Sequence, residues 1–170
     1  MTHSHPPKSS REALRRKLHI YRIVGSSLSA AVGIGAIAYL AALTGIPLLT
    51  PTFGATCFII AVLPDSAFAQ PRNVVGGHVL CSLVGLICLQ LLGAYWWSYM
   101  VAVGLAIMVM QLTRALHPPA AANPLLIIMQ PGISWNFLVT PVLTSTLVLI
   151  FIAFLYHNVI SKRSYPKYWL

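Results

Sequence analysis

Acidic side chains are almost absent from this sequence. Only two of its 170 residues are Asp or Glu, and charged residues of all kinds make up 8%. A soluble domain usually carries about 25% charged residues. Hydrophobic residues make up 58%, and the mean hydropathy is +0.79. We therefore expect a single-domain integral membrane protein. It should be all-α, because its long apolar stretches are continuous and do not alternate as in a membrane β-barrel.

The sequence also lacks the patterns that hold metals or carry out catalysis. Its three cysteines, Cys57, Cys81 and Cys88, lie in apolar segments, and no CxxC or Cys/His spacing suits zinc. We predict that they are small buried hydrophobic residues, and we expect no metal site and no cofactor. No nucleophile stands beside a base, and no second carboxylate lies in the apolar region. The sequence therefore predicts a protein that is not an enzyme.

Positive charge is concentrated at the two ends of the chain. Of the eleven Lys and Arg residues, six lie in residues 1–22 and three in residues 158–170. Short basic segments of a membrane protein favour the cytoplasmic side. This orientation explains the net charge of +9 better than a nucleic-acid partner does. We predict two basic cytoplasmic tails, the first of them disordered, around a membrane domain at 23–157, in a bacterial inner (plasma) membrane.

Prolines divide the membrane domain into long and short helices. Pro51 should open one short helix of about twelve residues, and Pro118 with Pro119 should open a second that ends near Met129. Twelve residues span about 18 Å, slightly more than half of a bilayer core. Four longer spans complete the expected fold, and Pro141 is expected to bend the last of them. These spans cover about 23–43, 73–93, 98–116 and 134–157.

The order of long span, short broken helix and long span occurs twice. It predicts two structurally repeated halves, at about 23–93 and 98–157, although their sequence identity is weak. Paired Pro- or Gly-interrupted segments in corresponding halves indicate a transporter binding site. With both tails on one side, the number of crossings is even. Four full spans with two re-entrant half-helices satisfy this condition, and so do six crossings with inverted halves.

Few charged or titratable groups interrupt the apolar segments. Asp65, Arg72 and Arg114 are the only formal charges between the tails. Charged groups at membrane depth are costly and often mark a pathway. The simpler alternatives are an Asp65–Arg72 ion pair that closes a loop, and an Arg114 side chain that reaches the interface from a helix end.

Histidines add three further groups, and two of them have two interpretations. His117 lies at the second break, where it can serve a pathway or cap a helix end. His78 follows two glycines in its span, and either packing or pore lining suits it. His157 is expected at the membrane interface.

Three blocks of this sequence resemble a known family. The runs at 69–78 and 113–124 are similar to the two signature blocks of the HPP family of integral membrane proteins, and 51–55 looks like its third block. The resemblance covers about residues 20–157. It implies an integral membrane protein with four or more spans, and nitrite transport, which is associated with characterised members. This chain departs from the family at Ala121, where Gly is frequent, and at 64–68, where members are richer in proline.

The residues themselves support a small monovalent anion as the substrate. Helix N-termini carry unpaired N–H groups and partial positive charge, and two of them are expected inside the membrane, around 52–56 and 119–123. A cation would require carboxylates, and Asp65 is the one candidate. The predicted pathway residues are Thr52, Gly54, Thr56, Arg72, His78, Arg114, His117 and Asn123.

The second break also suggests how pH enters the mechanism. We predict a neutral His117 at rest, with Arg114 one turn earlier on the same helical face, and proton uptake by His117 linked to anion entry. A structural or regulatory membrane subunit without transport activity is the main alternative function.

The first span carries two adjacent ridges of small residues. One ridge is Gly25, Ser29 and Gly33, and the other is Ser27, Ala31 and Gly35. Both suit close helix packing, either within the chain or in a homo-oligomer.

Overall fold

A computed structural model of the protein describes residues 8–130 and 132–169. Residues 1–7 of the predicted basic tail lie outside these ranges. Within them the protein is all-helical and has no β-strand. The six α-helices are α1 (Lys8–Thr44), α2 (Pro51–Val62), α3 (Pro71–Leu92), α4 (Trp96–Leu112), α5 (Asn123–Met129) and α6 (Thr144–Leu155). The segment that we predicted to be disordered is helical from Lys8, because α1 continues through it as one helix of 37 residues.

In the part of the chain that the structure describes, three helical segments are long and apolar enough to cross a membrane, namely Glu12–Thr44, Pro71–Leu92 and Trp135–Ile160. Helix α4, which we expected to be the remaining long span, has 17 residues and ends at Leu112 rather than near 116. Its end is a Schellman motif. Arg114 has a left-handed backbone (φ 55°), and the Ala115 N–H donates to the Met110 carbonyl at 2.9 Å.

This early end corrects one prediction about the second break. Arg114 and His117 do not share a helical face, because the left-handed residue reverses the chain and Ala115 to His117 are not helical. His117 has an extended backbone (φ −140°, ψ 96°). The residue that precedes a proline is driven out of helical geometry.

The two predicted interruptions are present. Helix α2 starts at Pro51 after the extended Thr50, and Pro118 starts a 3₁₀ turn (Pro118–Ala122) that continues into α5. Proline suits a first helical position because its φ is preset and its missing N–H would be unpaired there. The predicted bend at Pro141 is also present, since the preceding Thr140 is not helical (φ −127°, ψ 115°). It separates α6 from a short irregular helix that begins at Trp135.

Close contacts fix the direction of the helices around α3. A Cβ on Gly77 would lie 2.7 Å from His117 Cβ, and one on Gly85 would lie 2.8 Å from Pro124 Cα. Further along both helices, Cys88 and Ile128 belong to one apolar cluster. Helices α3 and α5 therefore run parallel, and the missing glycine side chains let them touch.

Helix α1 packs against α2 and α6 on the other side of the molecule. A Cβ on Gly25 would lie 2.6 Å from Tyr156 Oη, and one on Gly33 would lie 3.1 Å from Leu149 Cδ2. This ridge of small residues therefore packs within the chain, antiparallel to α6. The neighbouring ridge is exposed, and nothing lies within 4 Å of a Cβ built on Gly35.

Charged side chains lie at one end of the helices, which we call the charged end. The Asp65 carboxylate lies 3.0 Å from Lys167 Nζ, and the Arg72 guanidinium donates to the Thr113 carbonyl at 3.2 Å. The Asp65–Arg72 pair that we considered is therefore wrong, because the C-terminal segment folds back and supplies Lys167. The Lys167 ammonium holds the pKa of Asp65 below its usual value.

The C-terminal segment also changes the interpretation of His157. We expected an interfacial side chain, but His157 is 1% exposed and its Nε2 lies 2.8 Å from the Ile60 carbonyl oxygen. Tyr165 covers it and donates a hydrogen bond to the Ala69 carbonyl at 2.8 Å. The turns at the opposite end, which include 45–50, 93–95 and 132–135, contain no Asp, Glu, Lys or Arg. We call this the uncharged end.

Candidate functional site

A set of polar side chains lies in the apolar interior where the broken segments meet. It consists of Thr56 on α2, His78 and Ser82 on α3, His117 before the 3₁₀ turn, and Asn123 at the start of α5. Each of these residues is at most 2% exposed. We call this set the buried polar cluster. Polar groups in such a position must satisfy one another.

The hydroxyl of Thr56 is the centre of the buried polar cluster. Thr56 Oγ1 lies 2.8 Å from His78 Nε2 and 2.9 Å from His117 Nε2. The two imidazole rings are 5.0 Å apart between centroids, and Phe53 closes the other side of His78 at 5.2 Å. A single side chain from α2 thus joins two histidines that are 39 residues apart in the sequence.

The positions of the hydrogens in the cluster follow from two partners whose roles are known, the Phe68 carbonyl as an acceptor and the Asn123 NH₂ group as a donor. The Phe68 carbonyl can only accept, so His117 Nδ1, 2.8 Å away, donates to it. A neutral His117 then has its lone pair on Nε2 and accepts from the Thr56 hydroxyl. The Thr56 oxygen in turn accepts from His78 Nε2–H. This leaves His78 Nδ1 as an acceptor for the Asn123 amide, 3.1 Å away.

Asn123 completes the cluster on the side of α3. Its side-chain NH₂ group donates to Ser82 Oγ at 2.8 Å as well as to His78. Because an amide nitrogen carries two hydrogens, Asn123 can serve both acceptors at once. The assignment is therefore consistent from the Phe68 carbonyl to Ser82.

The Thr56 hydroxyl has a second acceptor within reach. Its oxygen lies 3.1 Å from the Thr52 carbonyl oxygen, but it has only one hydrogen to donate. If His117 gains a proton, both of its ring nitrogens donate, and the Thr56 hydrogen can turn to Thr52. The Thr56 oxygen then accepts from both histidines. The hydrogen-bond geometry of the cluster can therefore accommodate one added proton through rotation of a single hydroxyl group.

The predicted pathway residues divide into two groups in the structure. Thr56, His78, His117 and Asn123 meet in the buried polar cluster. The other four, Thr52, Gly54, Arg72 and Arg114, lie outside it. The Thr52 hydroxyl bonds to Thr50 at 2.8 Å, Gly54 faces open space, and the two arginines are exposed at the charged end.

The two short helices begin at opposite ends of the molecule. The 3₁₀ turn begins beside the buried polar cluster, whereas α2 begins at the uncharged end. There Thr50 and Pro51 line a cleft of about 260 Å³ together with Gln130, Ser134 and Thr140. None of the described residues that line this cleft is charged. The two positive helix ends therefore do not converge on one point.

Sequence reasoning missed three parts of this region. Ser82 follows His78 by four residues, so helical spacing could have placed both on one face. Gln70 is fully buried and binds the Pro64 and Ser66 carbonyls at 2.9 and 2.8 Å, and its Oε1 accepts from the Lys167 N–H at 2.8 Å. The Phe68 carbonyl left no sequence signal, because any residue type provides one.

The prediction for the cysteines is confirmed, since Cys57, Cys81 and Cys88 are free and buried. Among the described residues, no three His, Cys, Asp or Glu side chains come together as metal ligands do. The cluster instead offers two histidines, two hydroxyl groups and an amide, a set suited to hydrogen bonding and proton transfer.

Comparison with known proteins gives a family and two relatives. The profile described as "HPP, transmembrane region" matches residues 15–166. Two proteins of Dictyostelium discoideum, each described as a transmembrane protein, are 37% and 33% identical over 128 residues, which is 71% of this chain. The matched part is 45% and 41% of their own lengths, so this chain spans less than half of either relative. No solved structure matches the chain.

Proposed function

The chain belongs to the HPP transmembrane family, and we propose that it carries a small monovalent anion, with nitrite as the first substrate to test, across the membrane. The buried polar cluster is the observation that supports this proposal most directly. It is a fully enclosed polar site that can accept a proton, and it lies between helices broken by proline. Broken helices of this kind form the substrate sites of many transporters.

The route that we propose starts at the charged end. Arg72 and Arg114 raise the local concentration of anions there. From this end the anion would reach the buried polar cluster at His117. The Nδ1 atom of His117 lies 2.8 Å from the Phe68 carbonyl oxygen. An anion beside His117 would favour its protonated form, and the Thr56 hydroxyl can then turn to Thr52. The proposed transport therefore couples one anion to one proton.

We further propose six membrane passages in two inverted halves, with both termini in the cytoplasm. In this arrangement the four longer helices of our prediction are joined by two thin passages, α2 and the 3₁₀ turn with α5. Two packing relations support it. In this arrangement α3 of the first half corresponds to α6 of the second, and α2 corresponds to α5. Helix α3 runs parallel to α5, and its counterpart α6 lies beside α2. The basic residues gather at the charged end, as expected for a cytoplasmic face.

Cysteine labelling distinguishes six passages from four. Ala67→Cys and Ala94→Cys place an exposed thiol at the charged and the uncharged end, and the native cysteines are buried. A membrane-impermeant maleimide applied to intact cells should label Ala94→Cys and not Ala67→Cys. Four spans with re-entrant α2 and α5 require the opposite pattern, which would refute the inverted arrangement.

Flux measurements on the purified chain in liposomes test the transport proposal. Nitrite, nitrate, formate and chloride are compared under an imposed pH gradient. Nitrous acid crosses bilayers unaided, so protein-free liposomes of the same lipid supply the background. We expect protein-dependent nitrite uptake that is faster when the outside is acidic. The absence of flux for every anion, from monodisperse and folded protein, would refute transport.

A structural or regulatory membrane subunit is the second candidate function. It is favoured by the closure of the buried polar cluster, in which Thr56, His78, His117 and Asn123 already satisfy one another. In this case the cluster would fix the helices, and no anion would cross in any gradient. Exposure of the ridge Ser27, Ala31 and Gly35 supports association with a second copy through α1, which cross-linking at Gly35→Cys would test.

A further inference from the structure

A groove runs between α1 and the C-terminal end of α6 with the segment 156–163 that follows it, away from the buried polar cluster. At the charged end it encloses about 690 Å³, and three cationic side chains line it, those of Arg22, Lys162 and Arg163. Among the described residues that line it, none is Asp or Glu. Tyr21 and Ser161 add hydroxyl groups. We call this part the basic pocket.

The basic pocket continues toward the middle of the molecule as an apolar groove. This second part encloses about 320 Å³ and shares Gly25, Leu28, Tyr156 and Ile160 with the basic pocket. It extends as far as Val32. From Arg22 to Val32 a helix rises about 15 Å, which is one leaflet of a hydrocarbon core about 30 Å thick. The groove therefore has the length of one leaflet.

Among the described side chains, one acid, Asp65, lies near enough to Arg163 for the two charges to attract, but it forms no salt bridge with any of the three cations. The sequence contains only two acidic side chains, Glu12 and Asp65, and Asp65 is bound to Lys167 at 3.0 Å. Among the side chains that the structure describes, neither acid forms a salt bridge to a cation of the basic pocket. Lys162 is held at the end of the last helix by a left-handed backbone (φ 50°), and the Arg163 N–H donates to the His157 carbonyl at 2.7 Å. A cluster of cationic side chains, two of them on a backbone held at the end of the last helix, thus adjoins an apolar groove.

We propose that this groove binds an anionic phospholipid. Its phosphate would lie among Arg22, Lys162 and Arg163, and one acyl chain would occupy the apolar part beside Leu28 and Val32. Basic pockets between helices at the cytoplasmic side recognise such head groups. A zwitterionic lipid brings a cation of its own into the basic pocket and should bind more weakly. Free phosphate would leave the apolar part empty.

Lipid titration of the purified full chain in detergent tests the head-group site. The probes are dioleoyl phosphatidylglycerol, dioleoyl phosphatidylcholine and inorganic phosphate, and native mass spectrometry counts bound molecules. Arg22→Gln with Arg163→Gln should weaken phosphatidylglycerol binding about 25-fold, at about fivefold per cation. Arg15→Gln with Arg16→Gln removes the same charge from exposed positions outside the groove and should leave binding unchanged.

A second variant tests the acyl-chain part of the groove. Leu28 is 60% exposed, so Leu28→Trp can fill the groove without disturbing the core. It should reduce phosphatidylglycerol binding although all three cations remain. Three results would each overturn the proposal. One is phosphatidylcholine binding as tight as phosphatidylglycerol binding, and another is a loss of phosphatidylglycerol binding in the Arg15/Arg16 control as large as in the Arg22/Arg163 variant. The third is unchanged phosphatidylglycerol binding in Leu28→Trp.

Discussion

Replacing Thr56 by valine tests whether the buried polar cluster holds the fold together. Valine keeps the shape of threonine and removes only the hydroxyl, which lies 2.8 and 2.9 Å from the two histidine Nε2 atoms. Thr56, His78 and His117 are all 0% exposed, so water cannot replace the lost partner. The substitution therefore leaves two buried ring nitrogens without a partner.

The magnitude follows from those two nitrogens. An orphaned buried polar group costs about 1–3 kcal/mol, whereas single hydrogen bonds between membrane helices average about 0.6 kcal/mol. Because two groups are orphaned and both are fully enclosed, we expect a loss of about 2 kcal/mol or more. For a chain of this size each kcal/mol shifts the melting temperature by about 2–4 °C. The expected decrease is at least about 4 °C.

Thermal unfolding in detergent measures this decrease, with a thiol-reactive dye as the reporter. Cys57, Cys81 and Cys88 are buried, so the dye reacts as the helices separate. Thr56→Ser keeps the hydroxyl and loses one methyl group, about 0.8 kcal/mol, and should lie between the wild type and Thr56→Val. Thr44→Val is the matched control, because Thr44 is exposed and its hydroxyl bonds only to backbone atoms nearby. A valine variant as stable as the serine variant would refute the assigned network.

Three further predictions use other parts of the chain. His117→Gln should lower protein-dependent nitrite flux in liposomes and remove most of its pH dependence between about pH 5.5 and 7.5; an unchanged pH profile would leave His117 a structural residue. Gly85→Ala should destabilise the fold by about 1–3 kcal/mol in the same dye assay, because its Cβ would lie 2.8 Å from the Pro124 backbone, whereas Gly104→Ala, with open space around it, should not. Asp65→Asn should lower stability by less than about 1 kcal/mol, since its ion pair is exposed. The pKa of Asp65 is depressed in the folded protein, so the ion pair contributes its small stabilisation above about pH 4. This stabilisation disappears as the pH falls through the folded-state pKa. A melting temperature that rises on acidification in that range would contradict this sign.

The predicted part of the site illustrates what side-chain chemistry alone can reveal. His78, His117 and Asn123 stand out because polar groups are rare in this chain and costly at membrane depth. Thr56 was included because it belongs to a helix start rich in small residues. Arg72 and Arg114 stand out for the same reason as the histidines, yet they lie at the charged end. Rarity selects candidate residues but does not say which of them meet.

The sequence by itself determined the class of the protein and the positions of its breaks. Long apolar runs require helices whose backbone groups are satisfied internally, and Pro51 and Pro118 fix where two of those helices begin, because proline acts on its own backbone and on that of its neighbour. The tertiary structure alone decided the partners. Asp65 binds Lys167, and Thr56 joins His78 to His117, because packing brings together residues from 22 to 102 positions apart. Local propensity carries no information about such distant contacts.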